Sequence, residues 1–183
     1  LISQSDLETR LGRSLTTDEA SDFTLINDAM QTYIEHMIGS SLETAVASTR
    51  YYDGGVKYLK IDPCTEITAL LYVDEDYSTI ETIDESNYVE EPINQTLKTQ
   101  ITYRYGKLYS GDRNFGVTAK FSTAGDTHVT NIIKNALLDA LVSEMDNSEN
   151  IIKESIEGYS VEKAKPETKN ALDKIKFLFP EII

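Results

Sequence analysis

Between residues 17 and 38 apolar side chains return every three or four positions. Phe23, Ile26, Met30, Tyr33, Ile34 and Met37 form one stripe, while Asp22, Asn27, Asp28, Gln31 and Glu35 occupy the remaining positions. That period marks an amphipathic helix. Thr17 stands where an N-cap belongs, Asp18 and Glu19 fill the first turn that the helix dipole favours for anions, and Gly39 follows the end. A shorter helix over 6–11 is predicted before it, with Ser5 as cap, Glu8 as capping-box partner and Gly12 as terminator.

After residue 48 the period falls to two and β-formers take over. Strands are predicted over 49–53, 56–61, 65–74, 77–83, 99–105 and 116–122, with Asp53-Gly-Gly55 as a hairpin turn. Most of the 11 tyrosines lie in this region, as suits a half-buried pleated surface. The helical period returns at Asp126 or Thr127 and runs to about Met145. Its wide apolar face is Val129, Ile132, Ile133, Ala136, Leu137, Ala140, Leu141 and Met145. A polar stretch over 146–150, a weakly amphipathic piece over 151–156 and an extended Gly158-Tyr-Ser-Val161 come next. A last helix is expected to open near Pro166 and stop at Pro180.

Helices at both ends with strands between them predict an α+β fold: a helical bundle of N- and C-terminal helices with an inserted antiparallel β region. The expectation is one domain over 1–183, with helical parts 5–45 and 126–183 and a β-rich insertion over 49–125. A chain of 183 residues is long enough to bury roughly 70% of its unfolded surface in such a domain.

Charge sharpens this picture. Lys+Arg 17 against Asp+Glu 31 gives a net charge of −14, which argues against a protein that grips nucleic acid. No Lys or Arg lies between Lys60 and Lys98, a span holding ten acids, eight of them from Asp74 to Glu91. The longest nearly uninterrupted apolar run, Ile67-Thr-Ala-Leu-Leu-Tyr-Val73, is far short of the ~20 residues that cross a bilayer. No membrane association is expected. The opening residues have neither a basic start nor a secretory apolar stretch, and one cysteine allows no internal disulfide, so the expected compartment is a reducing cytoplasm.

Candidate chemistry is sparse. Cys64 with His36 or His128 is the one possible Cys–His nucleophile pair, set against the simpler reading of Cys64 as a small core side chain. The histidines lack metal-ligand spacing. Asp74, Asp76, Ser78 and Glu85 imitate a calcium loop, but Thr79 stands where its glycine is required and strands flank it. Gly106-Lys107 lacks the rest of a phosphate-binding loop, and Asn94-Gln-Thr96 is a chance glycosylation triplet. No catalytic residue, metal or cofactor is assigned, and the chain is not expected to be an enzyme.

Several segments taken together resemble the head-to-tail connector, or adaptor, proteins of tailed bacteriophages and prophages. They are the opening Asp6-Leu-Glu-Thr-Arg-Leu11, Ile34-Glu-His-Met-Ile-Gly39, Arg50-Tyr-Tyr-Asp-Gly54, Leu59-Lys-Ile-Asp-Pro63 with Thr65-Glu-Ile67, Asn87-Tyr88, Phe121-Ser-Thr-Ala-Gly125 and Ser155-Ile-Glu-Gly-Tyr-Ser-Val161. The pattern spans nearly the whole chain. It departs from the family at Thr127-His-Val-Thr130, where a proline often opens the next helix. The resemblance implies a non-enzymatic virion protein, made in the host cytoplasm and located at the neck. There it would form a ring of about twelve copies between portal protein and stopper or tail-completion protein, and double-stranded DNA would pass through without specific binding. An acidic lumen suits that passage, and lateral contacts would then need Arg10, Arg13, Arg50, Arg104 and Arg113 to meet a neighbour's acids. Arg50 and Arg104 are the candidate partner-binding arginines. Phe177, Leu178, Phe179, Ile182 and Ile183 are a candidate apolar docking end, or alternatively close the chain's own helical core. The segments over 74–98 and 146–165 are candidates to order on assembly. Another phage neck or tail structural protein, or a β-rich cytoplasmic binding module with a tyrosine-lined concave pocket, is the alternative.

Overall fold

The computed structural model describes residues 2–154, and side chains as far as Met145 apart from Glu144. The described residues form an α+β fold with three α-helices and two antiparallel sheets. The chain divides into two compact units, one drawn from its two ends and the other spanning Ile38–Thr127.

The first unit contains α1 (Gln4–Leu11), α2 (Thr17–Ile38) and α3 (Thr127–Glu154). The cap of α1 is Ser3 rather than Ser5: its Oγ accepts the Asp6 N–H, and Asp6 Oδ2 accepts the Ser3 N–H at 3.0 Å. Two Ser-x-x-acid boxes overlap here, and the earlier one places Asp6 2.9 Å from Lys134 of α3. Glu8 instead accepts the Leu15 N–H at 3.1 Å and so holds the connection to α2. That helix is capped one residue earlier than predicted. Thr16 Oγ1 accepts the Glu19 N–H and Glu19 Oε2 accepts the Thr16 N–H, which completes a capping box. Leu7, Phe23, Ile34, Ile133, Leu137 and Leu141 are buried, each contributing about 1.5–3 kcal/mol. The residues over 146–154, predicted as a polar break and a separate piece, continue α3, because nothing there breaks a helix before Glu154.

The second unit holds seven strands: β1 (Ser48–Tyr52), β2 (Tyr58–Cys64), β3 (Ile67–Val73), β4 (Thr79–Ile83), β5 (Tyr88–Glu91), β6 (Lys98–Tyr103) and β7 (Phe115–Ala119). They form a four-stranded sheet in the order β1-β7-β3-β4 and a three-stranded sheet in the order β2-β6-β5. One apolar cluster joins them, with Leu59, Ile61, Ile101 and Tyr88 from one sheet and Leu70, Ile83, Phe115 and Val117 from the other. Asp53-Gly-Gly55 is therefore not a hairpin turn. Because β1 pairs with β7 and β2 with β6, it carries the chain from one sheet to the other. A Cβ at Gly54 would stand 1.9 Å from the Tyr109 carbonyl oxygen, so this crossing requires glycine. β5 is absent from the sequence prediction, and the 74–98 stretch forms β4, a 3₁₀ turn and β5 within the single chain.

Candidate functional site

Arg50 and Tyr52 lie two positions apart on β1 and therefore share a face. Arg50 Nη1 donates to Asp62 Oδ2 of β2 at 2.6 Å and to the Gly39 carbonyl just past α2, and its guanidinium stacks on the Phe121 ring at 4.1 Å. The Tyr52 hydroxyl donates to Asp62 Oδ2 at 3.0 Å and accepts the Asp62 N–H at 3.3 Å. Burial drives the Tyr52 phenol well above its ordinary range, with the Asp62 charge acting the same way, so it remains a donor. Gly39 is required twice over: its φ is 65°, and a Cβ there would lie 2.6 Å from Asp62 Oδ1. Chemically the cluster is a clamp. It neutralises one carboxylate and ties two strands of different sheets to the turn after α2.

Of the five arginines considered for contacts with a neighbour, three meet carboxylates of their own chain. These are Arg50, Arg10 with Asp139 at 2.5 Å, and Arg13 with Glu19 at 2.6 Å. Arg113, at φ 49°, interacts with Tyr77 and lies near Asp112 and Asp53, contacts that hold its guanidinium charge firmly. Arg104 is exposed at the end of β6; its Nε donates to the Tyr88 carbonyl and its N–H to the Asn87 carbonyl. Phe177, Leu178, Phe179, Ile182 and Ile183 lie outside the described residues.

Cys64 is fully buried in the β core, its thiol pushed up to about 12 by burial and by the Glu90 and Asp62 charges. A thiol so raised is no nucleophile near neutral pH. His36 and His128 are exposed on α2 and α3. The Asp74 carboxylate accepts the Asp76 and Ser78 N–H groups at 3.0 and 2.8 Å, which shapes the β3–β4 turn. Among the described residues no three His, Cys, Asp or Glu side chains converge as metal ligands, and no helix is long and apolar enough to cross a membrane.

A tyrosine-lined pocket belongs to the alternative expectation of a binding module, but its place does not follow from the sequence: an open cleft of about 900 Å³ lies between the β3–β4 turn and residues 110–114. Tyr72, Tyr77 and Ile80 line one side, and Asp112, Arg113 and Asn114 the other. Asn114 is held in place by two hydrogen bonds: its Oδ1 accepts the Gly54 N–H while Nδ2 donates to the Tyr109 carbonyl. Tyr72 stacks on Tyr109 at 4.8 Å and Tyr77 on Tyr51 at 4.4 Å. Gly116 of β7 leaves room for Tyr51, whose ring a Cβ there would approach to 3.3 Å. The tyrosine clustering of the β region was the one available signal. No protein-family model matches the chain, and no curated protein matches it.

Proposed function

We propose that this chain is a structural subunit of the head-to-tail connector of a tailed bacteriophage or prophage. One observation carries the reading. Four of the segments on which the resemblance rests, three of them within residues 34–63 and the fourth opening at Phe121, meet in one cluster: Gly39, Arg50 with Tyr52, Asp62 and Phe121. The resembling segments thus include the residues that tie the two sheets of this unit together, which supports the reading. The ion pairs from α3 to α1 support the further expectation that N- and C-terminal helices form a bundle with the β unit inserted.

In this reading copies of the chain form a ring at the virion neck, between portal protein and stopper or tail-completion protein, and its acidic wall lets DNA slide through. Lateral pairing with a neighbour's acids falls mainly to Arg104, since Arg10, Arg13 and Arg50 are neutralised within the subunit. The apolar residues Phe177, Leu178, Phe179, Ile182 and Ile183 would supply a docking end. The test is immunogold electron microscopy of particles induced from the strain that encodes the chain. Label at the neck is expected; label elsewhere on the particle, or none, overturns the reading. The cleft flanked by Tyr72 and Tyr77 favours a second reading, a β-rich binding module, to which an unlabelled particle would point.

A further inference from the structure

β4 is an edge strand. β3 pairs with one side of it, and no strand lies on the other among the described residues. Such an edge is a template for another strand, and soluble proteins usually blunt it with proline, lysine or a covering loop. The strand Thr-Ile-Glu-Thr-Ile contains neither proline nor lysine, and its first four residues are exposed, with Ile80 at 57%. It also runs beside the cleft that Tyr72, Tyr77 and Ile80 help to line.

The charge around this edge has one sign. Asp74, Glu75, Asp76, Glu81, Asp84 and Glu85 are all exposed, and neither Lys nor Arg occurs in the sequence between Lys60 and Lys98. Arg113 is a cation of the cleft beside this edge, and it is engaged by Tyr77 with Asp112 and Asp53 close to it. Two copies meeting edge to edge would bring these carboxylates together, and like charges facing each other across a strand pair are destabilising. A cationic strand meets the opposite situation.

We propose that β4 accepts an extended Lys/Arg-rich segment of a partner protein as an added strand. Backbone hydrogen bonds supply the affinity, the flanking carboxylates select a basic partner over a second copy, and one apolar side chain of the partner settles by Ile80 and Tyr77 at the cleft mouth. The proposal is independent of where the chain assembles.

The test uses the full chain and a defined probe, acetyl-Lys-Val-Lys-Val-Lys-Val-Lys-amide, titrated while backbone amide shifts are followed by NMR. Shifts and new exchange protection are expected over 79–83. A probe of the same sequence with alternate amides N-methylated should bind at least about tenfold more weakly, because it keeps the charge and loses the donors. A Glu81→Lys, Asp84→Lys, Glu85→Lys variant should lose at least about tenfold for the original probe and gain affinity for the glutamate counterpart of the probe. Equal binding of the N-methylated probe, shifts centred elsewhere, no binding, or concentration-dependent self-pairing through β4 would each overturn the proposal.

Discussion

The helical unit and the β unit both use ion pairs as staples, and they differ in one long acidic stretch. Arg10, Arg13 and Lys134 of the helical unit each hold a carboxylate of that unit at 2.5, 2.6 and 2.9 Å, so its ions staple α1 to α3 and the α1–α2 connection to α2. In the β unit Arg50–Asp62 and Lys120–Glu66 are similar staples, but the acids from Asp74 to Glu85 stand exposed without such partners in the sequence around them. Exposed, unbalanced charge adds little to stability and much to the choice of partner. The difference separates side chains that hold the fold from those left for the surroundings.

The contrast is tested most severely in the β core. Phe115 is fully buried between the two sheets, and Phe115→Ala should cost about 3–5 kcal/mol in urea unfolding, with exchange protection lost first in β7 and β3. Equal loss in α2 and α3 would mean that the two units unfold as one. Next in size, Arg50→Ala should cost about 1–3 kcal/mol, because it strands Asp62 and the Gly39 carbonyl. If the proposed connector reading holds, Arg104→Glu should leave the unfolding free energy within about 0.5 kcal/mol yet impair ring assembly on a portal, as measured by native mass spectrometry. If instead Arg50→Ala were neutral, the clamp would be ornament. In the helical unit Ser3→Ala should cost about 1 kcal/mol, with faster exchange confined to the first turn of α1.

The smallest expected effect is a pH response of the helical unit. The Lys134 ammonium and the Ser3 cap hold Asp6 down to about 2 from its ordinary 3.8, and Arg13 with the Thr16 N–H holds Glu19 down to about 2 from 4.5. Both pKa values are depressed in the folded state, so this stabilisation is fully present above about pH 4.5 and is lost as the pH falls toward 2. Far-UV circular dichroism should show helical signal weakening across that window, and Lys134→Met should remove part of the change. A flat response in the unaltered chain would mean that these exposed pairs carry no stability.

Much of the fold was legible, and the misreadings have local causes. α2 and α3 follow from apolar residues at three- and four-residue spacing, and six of the seven strands from alternation. β5 escaped because Tyr88-Val-Glu-Glu91 is short, ends on adjacent acids and runs into Pro92. The cap of α1 was ambiguous because Ser3 and Ser5 each precede an acid by three residues, and the choice rests on Lys134, far along the chain. Arg50 was singled out from the sequence, but its partners were not: Asp62 lies on the other sheet, and Gly39 and Phe121 lie on either side in sequence.

By itself the sequence determined the order of helices and of six of the seven strands, that one thiol stands alone, and that a run of acids falls within the β region. These are properties of periods of 3.6 and 2 and of composition, readable within a window of a dozen residues. Tertiary structure alone decided that β1 leaves its sequence neighbour β2 to pair with β7, that β4 ends a sheet with Glu81 exposed, and that Arg50 closes on Asp62. Those outcomes depend on which faces bury one another across separations of 12 to 69 residues. That competition is settled by the packing of the whole unit and leaves no mark in any short stretch of chain.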